Sequence, residues 1–168
     1  MDVVGCLGAS TRVRLASSSA DESILGQLAM RATQRVPVWT VDRRGRPAVG
    51  LMSRAFFTGV RPTFALGFAS GAVIEATANH PFLTVDGWLR VDQLTLGDRV
   101  ASMSPAPAGP ELGWDVLTMI EPNGRQPVYD LTIDGTHNFV ANGVVVHNSS
   151  GPASPDRDAL GPGSRSIT

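Results

Sequence analysis

Cys6 near one end of the chain and Val146-His147-Asn148-Ser149 near the other put a thiol, a carboxamide and a hydroxyl at the two borders of residues 6–148. A thiolate is the best protein nucleophile near neutral pH, and the thioester it forms is far more reactive than the amide it replaces. Cys6 therefore suits attack on the carbonyl just upstream, that of Gly5. The Asn148 side chain can attack its own backbone carbonyl, closing a succinimide ring and breaking the bond that follows. Ser149, just past that bond, carries a hydroxyl able to accept an acyl group from Cys6 before the cut. The order of residues matches an order of reactions that removes what lies between them.

Taken singly, none of these residues says much. A lone cysteine is more often a small buried hydrophobe than a nucleophile, and Asn-Ser is a common turn pair. What changes the balance is their joint occurrence with two inner clusters, Thr77-Ala78-Asn79-His80 and Asp130 through Gly143.

The elements that must hold these groups are mostly strands. Short β-branched and aromatic runs alternate with Gly, Pro, Asn and Asp, the pattern of a fold built from hairpins. Strands are expected at 36–42, 63–68, 73–77, 99–102, 114–120, 128–133, 138–141 and 144–147, with a hairpin connection at 67–71. One short helix is expected over 21–31, where Ile24, Leu25, Leu28 and Ala29 fall at helical spacing behind acidic residues. A helical turn is expected at 91–98, closed by Gly97. The Pro- and Ala-rich run from Ser104 to Pro110 reads as a surface loop, and the stretch 149–168 as a segment without fixed structure.

The chain has 168 residues, 42% of them hydrophobic and 17% charged, which suits one domain with a sizeable core. Fourteen basic against fifteen acidic residues, with no long cationic run, argue against a nucleic-acid partner. One cysteine makes no internal disulfide and must stay reduced to react, so a cytoplasmic setting is expected. No apolar run approaches the roughly 18 residues of a membrane span, and no secretory signal opens the chain, so no membrane role is expected. Three scattered histidines lack paired metal-ligand spacing, so neither a metal nor another cofactor is expected.

Four blocks carry a family resemblance. Glu75 through Thr84 resembles the Thr-x-x-His block of an intein, and Val128–Ile133 with His137–Asn148 resembles its two C-terminal blocks. Cys6-Leu7-Gly8-Ala9-Ser10-Thr11 is similar to the N-terminal block. Ser53 through Gly59, with Asp86-Gly87-Trp88, is similar to inteins carried by bacterial replicative DNA helicases of the DnaB type.

The resemblance implies an all-β Hint fold, a flattened horseshoe whose termini meet at its centre. It also implies autocatalytic splicing: acyl transfer from nitrogen to sulfur at Cys6, transesterification to Ser149, then Asn148 cyclisation that excises residues 6–148 and joins the flanks. By that resemblance His80 protonates the departing Cys6 nitrogen, while Thr77 and Asn79 hold the scissile peptide. Asp130 coordinates Cys6, His137 polarises the Asn148 amide, and His147 stabilises charge on the Asn148 carbonyl. Residues 1–5 and 149–168 are then extein remnants, and the loop 104–113 stands where larger relatives carry a homing endonuclease, so no DNA cleavage is expected. The substrate is the chain's own flanks; no partner is required, a monomer is expected, and a replicative helicase is the expected host.

Other readings stay open at this point. A Hint domain that cleaves without ligating would release separate fragments. A cysteine hydrolase built on Cys6 and His80 would need a substrate pocket, and a β-rich binding module would not react. His137 and His147 also read as half-exposed strand residues, and Asp130 as a hydrogen-bonded turn or edge residue.

Overall fold

The computed structural model of the chain describes residues 5–17, 21–30 and 35–148; the expectations for Ser149 and for 149–168 lie outside these residues. Its strands are β1 (Leu7–Gly8), β2 (Arg12–Arg14), β3 (Glu22–Ile24), β4 (Val36–Val41), β5 (Pro47–Phe68), β6 (Val73–Ala76), β7 (Pro81–Thr84), β8 (Gly87–Arg90), β9 (Arg99–Ser104), β10 (Glu111–Asp134), β11 (Asn138–Ala141) and β12 (Val144–His147). One helix, α1 (Leu25–Leu28), and a 3-10 turn at Val91–Gln93 complete the described elements.

All pairings are antiparallel, in the order β3-β2-β11-β12-β7-β9-β10-β1-β6-β5-β4. The long strand β10 joins the two halves. Its first residues pair with β9, from Glu111↔Ser104 to Val116↔Arg99, and from Leu117 onward it pairs with β5. The tiny β1 slots between β10 and β6, with Leu7 opposite Tyr129 on one side and Ala76 on the other. That slot carries Cys6 into the middle of the sheet.

The ladder between β5 and β10 is irregular. Val128 faces Gly59 while Tyr129 faces Phe57, so Thr58 is an extra residue on β5, a bulge that bends the strand and re-aims a side chain. Gly59 follows at φ 143°, a backbone that residues with a Cβ rarely adopt. Two apolar clusters close the structure. The larger includes Leu7, Leu66, Ile74, Phe82, Leu131, Phe139 and Val146, and the smaller groups Val41, Ala101, Met103, Val140 and Val145.

The expected all-β architecture with one short helix is present, but four details differ. The helix is a single turn, because Glu22–Ile24 pairs instead with Arg12–Arg14, where Arg14 Nε meets Glu22 Oε2 at 3.4 Å. Pairing satisfies backbone groups that an isolated turn leaves open, and the acidic residues thus lie ahead of the helix. The expected strands at 114–120 and 128–133 are one, since the ladder continues past Pro122, Asn123 and Gly124 after a register shift. The expected loop at 104–113 is shorter, because Ser104 and Glu111 already face each other. The 3-10 turn closes at Gln93, and 94–98 carries the chain into β9 without further helix.

Candidate active site

Cys6 is fully buried. Its backbone N–H donates to Thr77 Oγ1 at 2.9 Å, and the Thr77 N–H donates back to the Cys6 carbonyl at 3.0 Å. Thr77 Oγ1 also donates to Asn79 Oδ1 at 2.8 Å, which fixes the hydroxyl that the Cys6 amide uses. The Cys6 peptide nitrogen is therefore held by Thr77, with Asn79 behind it. Thr58 Oγ1 lies 3.1 Å from Cys6 Sγ.

Burial pushes the Cys6 thiol above its ordinary pKa, the Thr58 hydrogen bond opposes that rise, the Asp130 charge adds to it, and the Arg61 cation works against it. Asp130 sits buried on β10, its Oδ1 accepting from the Leu131 N–H at 2.7 Å. The carboxylate is thus close enough to Cys6 for its charge to be felt.

His80 is buried between the two ends of the segment. Gly5 packs directly on its backbone and ring, and Phe82 meets the ring edge-on at 5.8 Å. Burial, with help from the charge on His147, holds the imidazole pKa down to about 3, while backbone groups of Gly5 and His147 oppose the shift. His80 is therefore neutral near pH 7, with nitrogen lone-pair and N–H functions both present.

The downstream junction is built from β11 and β12. Asn138 and His147 face each other across that hairpin, and His137 precedes it at φ 59°. The Asn148 N–H donates to the His137 carbonyl at 3.0 Å, which pins the Asn148 backbone. His147 Nδ1 lies 2.6 Å from the Asn148 carbonyl oxygen. Because a carbonyl only accepts, that nitrogen carries the hydrogen, and the bond polarises the carbonyl that a succinimide closure would attack. The Trp88 ring fixes His147 edge-on at 5.0 Å, and the His137 and His147 rings stack at 6.4 Å.

The structure thus gathers Cys6, Thr77, Asn79, His80 and Asp130 about one junction and His137, His147 and Asn148 about the other, with His80 touching both sets. Sequence reasoning did not single out Thr58, Arg61 or Trp88. The segments carrying Thr58 and Trp88 were noted for their family likeness, but a bulge that turns one hydroxyl onto the thiol shows only in the register. Among the described residues, no group of three or more His, Cys, Asp or Glu is placed to hold a metal.

Solved structures share this fold. The DnaB intein of Synechocystis sp. PCC 6803 superposes with a TM-score of 0.77 at 34% identity, over 86% of this chain and 99% of that one. The chain belongs to the inteins. It has their Hint horseshoe fold and their autoprocessing chemistry, acting on its own peptide bonds. The Ssp DnaB mini-intein variant M86 agrees over 92% of this intein and 99% of its own chain, with a TM-score of 0.80 and 29% identity. The replicative DNA helicase DnaB of Rhodothermus marinus is 39% identical to this intein over 98 residues, 58% of this chain. The intein spans about a tenth of the length of the curated helicases it matches. No family model matches the chain.

Proposed function

We propose that residues 6–148 excise themselves and join their flanks by four acyl transfers. Cys6 Sγ attacks the Gly5 carbonyl carbon, forming a C–S bond as the C–N bond breaks, and the thiol proton ends on the Cys6 nitrogen. His80 delivers that proton, its neutral imidazole gaining the thiol hydrogen by way of Asp130. Ser149 then takes the acyl group from sulfur to oxygen. The Asn148 side-chain nitrogen closes on its own carbonyl, helped by the His147 N–H and by His137, and releases the excised segment. The ester shifts from oxygen to nitrogen and leaves an ordinary peptide bond between Gly5 and Ser149.

The observation that supports this reading best is the placing of one buried imidazole, His80, against Gly5 on one side and His147 on the other. Two junctions far apart in sequence share one proton-handling group. Proximity of this kind contributes ~7–11 kcal/mol to lowering a barrier. A thiol with no exposed surface also suits an internal substrate better than an external one. The likeness to DnaB helicases supports a replicative helicase as host, with residues 1–5 and 149–168 as flanks, and a reducing cytoplasm would keep the Cys6 thiol reduced. Replacing Cys6 with Ala tests the assignment: N-terminal cleavage should vanish, and its persistence would remove Cys6 from the reaction.

A further inference from the structure

Thr58 touches the nucleophile through an irregular piece of backbone. As the extra residue of the bulge between Phe57↔Tyr129 and Gly59↔Val128, its side chain escapes the strict alternation of a ladder. Its hydroxyl donates to the Val128 carbonyl at 3.3 Å while its oxygen stands 3.1 Å from Cys6 Sγ. The hydroxyl has one hydrogen to share between the two contacts, and across the 3.1 Å contact either the hydroxyl or the thiol can donate. The thiol is buried beside a carboxylate, surroundings that oppose a sulfur anion, and the Thr58 hydroxyl is one of two groups that favour it.

We propose that Thr58 is a catalytic residue of the first acyl transfer, its hydroxyl turning from the Val128 carbonyl to donate to Cys6 sulfur as the thiol loses its proton. The inference rests on Cys6 being the nucleophile. Thr58 keeps its own proton throughout; only the direction of its O–H changes. Its hydrogen bond is made to the charged form, so it lowers the cost of reaching the thiolate. Because a hydroxyl carries no charge, the sulfur stays a good leaving group for the next transfer.

The test uses the full chain with Asn148→Ala and Ser149→Ala, so that the reaction stops at the thioester. Carbon-13 at the β-carbon of cysteine gives a single resonance, since Cys6 is the only cysteine. Its pH titration is recorded beside the rate of N-terminal cleavage by added thiol. Thr58→Val should slow cleavage about ten-fold and raise the Cys6 titration by about one pH unit, as loss of a hydrogen bond to a charged group does. Thr58→Ser should restore both; if Thr58→Val does not fold, Thr58→Ala takes its place. An unchanged Cys6 titration in the Val or Ala chain overturns the proposal whatever the rate. Cleavage surviving Cys6→Ala would instead overturn the parent reading.

Discussion

A β-carbon placed on Gly5 would stand 2.6 Å from His80 Cα and 2.9 Å from His80 Nδ1. The backbone atom cannot swing aside as a side-chain tip can, so Gly5 or His80 would have to move. In the proposed first transfer, either movement separates the Gly5 carbonyl from the imidazole that would protonate the leaving nitrogen. Overpacking of this kind costs about 1–3 kcal/mol. Gly5→Ala is therefore expected to slow N-terminal cleavage about ten-fold or more, measured as precursor loss with added thiol. An unaltered rate would mean that the two residues do not meet in the reacting state.

His80 also sets an acid limit on stability. In the unfolded chain it titrates at its ordinary 6.5, but in the folded protein only at about 3. Between those values the unfolded state binds more protons, so the His80 contribution is complete above pH 6.5 and shrinks as pH falls toward 3. The loss is about 1.4 kcal/mol per pH unit. Urea midpoints taken at pH 7, 6 and 5 should fall accordingly, and much less in a His80→Gln chain. Equal slopes in the two chains would place the acid sensitivity elsewhere.

Asn142 ties the β11–β12 turn to two distant strands. Its Oδ1 accepts from the Arg12 N–H at 2.6 Å, its Nδ2 donates to the Val73 carbonyl at 2.7 Å, and its backbone holds φ 50°. Asn tolerates that left-handed backbone better than most residues. Asn142→Ala removes both bonds and adds strain, costing about 2–3 kcal/mol; Asn142→Gly should cost less. Thermal melts of the two variants check the ranking.

Both strands of that hairpin were legible in sequence. Residues 138–141 and 144–147 are strands as expected, with buried apolar residues on either side of the Asn-Gly turn. Less legible was anything decided by pairing at a distance. Ile24 and Leu25 share helical spacing with Leu28, yet Arg12–Arg14 lies alongside and draws 22–24 into a ladder. Pro122-Asn123-Gly124 reads as a break between strands, but β5 runs beside both sides and absorbs the irregularity as a register shift. Thr58 escaped notice for the same reason. Nothing in its neighbours in sequence says that Gly59 and Phe57 take consecutive partners on β10.

The hydrogen bond from His147 Nδ1 to the Asn148 carbonyl, 2.6 Å long, carries its own expectation. A donor aimed at a carbonyl where charge develops is worth about a hundred-fold in rate or more. His147→Ala should slow release of the downstream flank by that factor, so that the branched ester, rather than ligated product, builds up on a denaturing gel. Ligated product at the normal rate would remove His147 from the reaction.

The most direct measurement is the intact mass of freshly made full-length chain, followed over time with reductant, beside Cys6→Ala and Asn148→Ala. Self-excision predicts loss of the precursor with the appearance of two species, residues 6–148 and a peptide joining residue 5 to residue 149, and neither variant should yield the joined peptide. Separate, unjoined flanks would contradict ligation, and an unchanged precursor mass would contradict self-excision altogether.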